Sequence, residues 1–122
     1  METQKVNVIM VKSYSFALDV ISHYKSLIVD HKEYVLSKQI LRSGTSIGAL
    51  IKESEHAESR ADFKHKFNIA LKEANETLYW LDLQKESGYI KHEKYLSLYN
   101  KCNEIISILV KIVKTLKNTQ DN

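Results

Sequence analysis

Apolar residues recur along this chain at intervals of three and four, and steps of 100° per residue gather them into four helical faces. The first face, over about residues 6–29, collects Val6, Ile9, Met10, Ala17, Val20, Ile21, Tyr24, Leu27 and Ile28, with Lys12, Ser15, Asp19, Ser22 and Lys25 largely off it. A polar break, Asp30-His31-Lys32-Glu33, precedes a second helix over about 34–57. Its core side carries Leu36, Ile40, Ser43, Ile47, Leu50, Ile51 and Ser54. Ser59-Arg60-Ala61-Asp62 reads as an N-cap with an acid at N3, which opens a third helix over about 60–87. There Phe63, Phe67, Ala70, Leu71, Ala74, Leu78 and Leu81 align. Gly88 suits the left-handed residue that ends a helix. The fourth helix, about 92–117, aligns Tyr95, Leu98, Tyr99, Cys102, Ile105, Ile106, Leu109, Val113 and Leu116, and residues 118–122 are expected to fray.

Helices of roughly 35–40 Å, at about 1.5 Å per residue and joined by short links, favour an up-down-up-down antiparallel bundle. The expectation is a single all-α domain over residues 1–122. Composition supports it: no proline and three glycines leave too few turns for a strand-rich fold. One cysteine, Cys102, excludes an internal disulfide and fits a reducing cytoplasm. No signal peptide and no membrane-spanning run are visible. A formal charge of +3 permits nucleic-acid binding without arguing for it strongly.

The stretch Arg42-Ser43-Gly44-Thr45-Ser46-Ile47-Gly48-Ala49-Leu50-Ile51 holds two of the glycines and a run of small hydroxyls. It lacks the spacing and the lysine of a phosphate loop, and no strand precedes it. It does not make the strand-to-helix elbow of a serine nucleophile either. Each interior glycine costs a helix about 0.5–1 kcal/mol relative to alanine. Gly44 and Gly48, one turn apart, therefore point to close packing of a neighbouring helix.

Several helices carry more apolar surface than a four-helix core requires. Ile69, Trp80 and Leu83 cluster off the core face of helix 3 near Glu73 and Glu76, and Val8, Val11 and Leu18 lie off that of helix 1. Arg42, Ser46, Ala49 and Glu53 form a further stripe on helix 2. Such stripes mark partner surfaces, and the commonest partner is another copy. Trp80, Ile69, Glu76, Leu83, Arg42 and Glu53 are the expected interface; the competing reading makes helix 3 the most buried helix, with Trp80 plugging its edge. Glu73 and Glu76 are placed to pair with Arg42 or Lys66.

Candidate chemistry is sparse. The histidines are scattered, and Glu53 with His56 gives one E-x-x-H where a di-metal bundle needs two. Cys102 on a core face reads as a small hydrophobe. No catalytic residue, metal or cofactor is expected.

Residues 41–90 carry a resemblance. The Arg-Ser-Gly-Thr-Ser-Ile-Gly-Ala run, Phe63, Lys66, Ile69-Ala70-Leu71-Lys72-Glu73-Ala74, Glu76-Thr77, Tyr79-Trp80-Leu81 and Gly88-Tyr89-Ile90 resemble the 23S rRNA intervening-sequence protein family of four-helix bundles. Leu50 stands where that family commonly has Asn, and Lys52 where it has Ala. The resemblance implies a bacterial cytoplasmic protein, a ring-shaped homopentamer and a positively charged surface suited to nucleic acid. It is also similar to the bundles that accompany the reverse transcriptases of diversity-generating retroelements, and it implies no established activity.

The basic residues are interspersed with acids, so no helix is strongly cationic alone. A ring would unite copies of one modest patch into a multivalent site. Lys111, Lys114 and Lys117 have the least acidic surroundings, with Lys101, Arg60 and Lys64 as further candidates. The expected function is thus a non-enzymatic, homo-oligomeric scaffold that binds RNA or DNA, with a nucleic-acid-associated protein as a further candidate partner. The alternative is a protein-interaction adaptor with no nucleic-acid contact.

Overall fold

The computed structural model describes residues 2–120, with side chains over 4–118, and those residues form four helices and no strand. They are α1 (Glu2–His31), α2 (Leu36–Ser54), α3 (Arg60–Glu86) and α4 (His92–Gln120). Each helix packs against its neighbour in the chain, and α1 closes the bundle against α4. Cross-helix contacts fix the directions. Gly44 faces Val20 and Gly48 faces Ser13; Arg42 meets Glu76 while Glu53 meets Lys66; Tyr95 meets Asp82 while Cys102 meets Ala74. In every pair one number rises as the other falls, so adjacent helices run antiparallel.

The core repeats every 3.5 residues rather than every 3.6. Ile9, Ser13, Phe16, Val20, His23 and Leu27 of α1 are buried, as are Ser37, Ile40, Gly44, Ile47, Ile51 and Ser54 of α2. Phe67, Ala70, Ala74, Thr77, Leu81 and Gln84 of α3 follow the same alternation of threes and fours. So do Tyr95, Leu98, Cys102, Ile105, Leu109, Ile112 and Leu116 of α4. This a/d seam is the packing of left-handed coiled coils and of most four-helix bundles. Several of the positions expected on a 3.6-residue wheel, including Met10, Ala17, Ile21, Tyr99 and Val113, are only half-buried and flank the seam.

The helix ends follow local chemistry. Ser59 caps α3, its hydroxyl accepting from the Asp62 N–H at 3.0 Å. Gly88, at φ 78°, ends α3 with Tyr89 N–H bonded to Gln84 C=O and Gly88 N–H to Lys85 C=O, a Schellman closure. Several boundaries differ from those read in the sequence; α1 spans Glu2–His31 where about 6–29 was expected. Helix α2 starts at Leu36, not 34, because the Glu33 carboxylate accepts from the N–H groups of Val35 and Ser37 and so acts as its cap. It stops at Ser54, not 57, where the backbone tightens into three-residue bonds from Glu55, His56 and Ala57. Helix α4 continues to Gln120, beyond the expected 117, and residues 121–122 lie outside the described residues.

Candidate functional site

Two seams of α2 and one end of the bundle gather the residues that the sequence singled out. At the α1–α2 seam the helices approach closely. A Cβ on Gly44 would lie 2.8 and 2.9 Å from the two Val20 methyls, and one on Gly48 would lie 3.4 Å from the Ser13 carbonyl oxygen. Outside this contact the small residues leave a groove of 620 Å3, lined by Met10, Val11, Ser13, Tyr14 and Ala17 of α1 and by Thr45, Gly48, Ala49 and Lys52 of α2. The hydroxyls do not make it polar. Thr45 donates to its own helix at Leu41 C=O (2.7 Å) and Ser13 donates to its own at Met10 C=O (3.2 Å). Beside the groove, α1 leaves Val8, Val11, Tyr14 and Leu18 exposed at 44, 71, 68 and 52%.

The α2–α3 seam is built differently. Arg42 donates to Glu73 at 2.9 Å and to Glu76, and the Trp80 indole N–H donates to the same Glu76 oxygen at 3.1 Å. Trp80 is half-buried against the core, with Tyr79 edge-on to it at 5.1 Å. Beneath them the Ser43 and Thr77 hydroxyls, both fully buried, lie 2.9 Å apart. Lys66 pairs with Glu53 at 3.3 Å. Of the six residues proposed from sequence for an interface, Arg42, Glu53 and Glu76 thus pair across α2 and α3 within one protomer, and Trp80 bonds to Glu76 along α3 itself. Ile69 and Leu83 are half-buried on α3.

The basic residues divide. Lys101 forms an ion pair with Asp19 at 2.8 Å, and Lys12 pairs with Glu104, so the middle of the α1–α4 seam is neutralised. Lys111, Lys114 and Lys117 are exposed and have no ion pair with any described residue. The α3–α4 register set by Tyr95–Asp82 and Cys102–Ala74 carries residues 60–64 to the level of about 112–117. Arg60 and Lys64 therefore share one end of the bundle with the three α4 lysines, a convergence that spacing along the chain did not reveal.

The interior is chemically quiet in its centre. Cys102 is buried, its thiol donates to Ala74 C=O at 3.3 Å, and burial pushes its pKa up to about 12. The Tyr95 hydroxyl donates to Asp82 at 2.6 Å, and that bond raises its pKa to about 12. No group of three or more His, Cys, Asp or Glu residues able to hold a metal occurs among the described residues. None of the described helices is long and apolar enough to cross a membrane. Sequence reasoning missed one buried polar pair, His23 with Gln84, whose atoms meet at 2.7 Å across the bundle. Its signal was available: both residues fall on the 3.5-residue seams of α1 and α3.

Comparison with known proteins adds a family. Residues 5–111 match the family described as 23S rRNA-intervening sequence protein. A crystal structure of a protein of unknown function from the S23 ribosomal protein family of Bacteroides thetaiotaomicron is 55% identical, with a TM-score of 0.88. The match covers 90% of this chain and 98% of that one. No curated protein matches the chain. Lys114 and Lys117 lie beyond the residues of the family match, and Lys111 is the last within it.

Proposed function

The chain belongs to the 23S rRNA-intervening sequence protein family, and from that premise we propose that it is a non-enzymatic scaffold that assembles with copies of itself and binds RNA or DNA. The observation that carries assembly is the apolar face of α1. Val8, Val11, Tyr14 and Leu18 stand exposed beside an open apolar groove, a contiguous surface of the kind that marks a protein interface. A second copy is the partner that most small proteins select, and the family resemblance points to five copies in a ring. The expected seam moves accordingly, from the Trp80 side of α3 to the α1–α2 groove, because Trp80, Glu76 and Arg42 already satisfy one another within the protomer.

Nucleic acid would meet the basic end formed by Lys111, Lys114 and Lys117 with Arg60 and Lys64. One such cluster is modest, but a ring presents it several times, and its phosphate contacts then act together. The single, deeply buried thiol fits a reducing cytoplasm. An adaptor function without nucleic acid is favoured by one observation, the neutralisation of Lys101 by Asp19.

Anisotropy titration of a labelled RNA against the assembled protein tests the binding. Affinity falls steeply between low and moderate salt, and replacing Lys111, Lys114 and Lys117 with Gln flattens that dependence. Salt-independent affinity, or a triple variant that binds as well as the parent, contradicts phosphate recognition and leaves the adaptor reading.

A further inference from the structure

The end of the bundle where α1 finishes and α4 begins is unlike the basic end just described. It contains a pocket of 240 Å3 whose lining includes His23, Ser26, Asp30 and His31 of α1, Lys91 of the α3–α4 link and Lys94 of α4. Asp30 is the sole acid in that lining, and its carboxylate accepts from Ser26 at 3.0 Å. Lys91 and Lys94 are exposed and form no ion pair with any described residue.

His23 forms the buried side of the pocket, at 3% exposure. Its Nε2 is taken by the Gln84 carbonyl oxygen, which leaves Nδ1 as the nitrogen available to the pocket. His23 forms no ion pair with any described carboxylate, although Asp30 shares the pocket lining and opposes an anion there. Asp82 on α3 is taken by the Tyr95 hydroxyl, and Glu33, at the start of α2, is taken by backbone N–H groups. Ser37 of α2 and Gln84 are neutral, and the Gln84 amide nitrogen has no partner among the described residues.

We propose that this pocket binds a small oxyanion of the phosphate class, and that its occupancy is coupled to protonation of His23. The volume falls below the roughly 300–1,000 Å3 of pockets for drug-sized ligands, which favours a single phosphate over a whole nucleotide. Two lysines and a protonated His23 would supply the charge. In the empty pocket, burial holds the His23 imidazole below its ordinary value; the Gln84 bond opposes this, while Lys94 and His31 reinforce it. A group depressed in this way costs the fold stability as pH drops through the ordinary histidine range, because the unfolded chain takes up the proton first. An anion between the lysines and His23 removes part of that cost. By linkage, the anion raises the proton affinity of His23 by the factor that protonation raises anion affinity.

The phosphate could be free in solution or the terminal phosphate of a nucleic acid, and the test separates the two. Imidazole resonances of His23 and His31 are followed from pH 8 to about 5 in chloride, in inorganic phosphate at matched ionic strength, and with a dinucleotide bearing or lacking a 5′-phosphate. Inorganic phosphate is expected to raise the His23 proton affinity on the order of fivefold. The effect is lost in Lys94→Gln and in Lys91→Gln, and kept in Lys72→Gln, an exposed change on the middle of α3. A shift with only the 5′-phosphorylated dinucleotide assigns the site to a nucleic-acid terminus. Superimposable titrations in every medium overturn the proposal, as does a phosphate shift that survives both lysine variants.

Discussion

Helix α2 builds two seams from opposite means. Against α1 it offers glycines and inward-turned hydroxyls, so the backbones come close and the outer edge opens into an apolar groove. Against α3 it offers Arg42, which donates to two glutamates, one of them also accepting from the Trp80 indole. The second seam satisfies its polar groups within one chain. The first leaves Val11 at 71% and Tyr14 at 68% exposed, with apolar surface that only another molecule would cover. The contrast teaches where to look for a partner: an aromatic residue in a satisfied network is a weaker sign of an interface than an unpaired apolar edge.

Substitutions can break each seam separately, and the largest effects belong to packing. Gly44→Ala drives a methyl into the branched Val20 side chain, which is buried and cannot swing away. Overpacking of this kind costs about 1–3 kcal/mol, only partly offset by alanine's better helix propensity. Gly48→Ala meets Ser13 at ordinary contact distance, so its helix-propensity gain prevails and stability stays within about 0.5 kcal/mol or rises. Urea unfolding of the two variants should therefore separate them clearly, and equal losses would refute the asymmetric approach.

Trp80→Ala acts on the other seam. It should cost about 2–3 kcal/mol, less than a fully buried tryptophan because the ring is half-exposed, and the loss should appear as a lower urea midpoint. Arg42→Ala is milder. Its side chain is 51% exposed and solvent screens both ion pairs, so about 0.5–1 kcal/mol is expected, shrinking as salt is added. The smallest lever is Glu33 at the α2 N-terminus. Burial would raise its pKa, but hydrogen bonds from the backbone N–H groups of Ser37, Leu36 and Val35 prevail and lower it. Its contribution, about 0.3–1 kcal/mol, is therefore present above the ordinary carboxylate value of 4.5 and lost as pH falls through the depressed folded value. Glu33→Gln should flatten that part of the stability profile.

Much of the fold was legible in the chain. The absence of proline, the Ser59 cap and Gly88 predicted helices whose ends lie where local chemistry places them. The core list was less accurate, because a 3.6-residue wheel drifts about 20° per heptad from a seam that repeats every 3.5. That drift hid Phe16 and Ile112, which are fully buried, and promoted flanking residues such as Ile21. Polar seam positions were missed for the same reason: Ser13, His23 and Gln84 fall on the 3.5-residue seams, which a 3.6-residue wheel does not trace. The pairing of Arg42 with Glu73 and Glu76 was legible in the pattern, whereas the bond from the Trp80 indole to the same Glu76 oxygen appears only in the structure.

The central claim is that copies of this chain meet through the α1–α2 groove and not through the Trp80 face. Light scattering on a sizing column, applied to wild type, Val11→Asp and Trp80→Ala, tests it most directly. The account predicts a wild-type mass several times the 14.2 kDa protomer, collapse towards the protomer in Val11→Asp, and an undiminished assembly in folded Trp80→Ala. A monomeric wild type, or an assembly that survives Val11→Asp and is lost in Trp80→Ala, would contradict it.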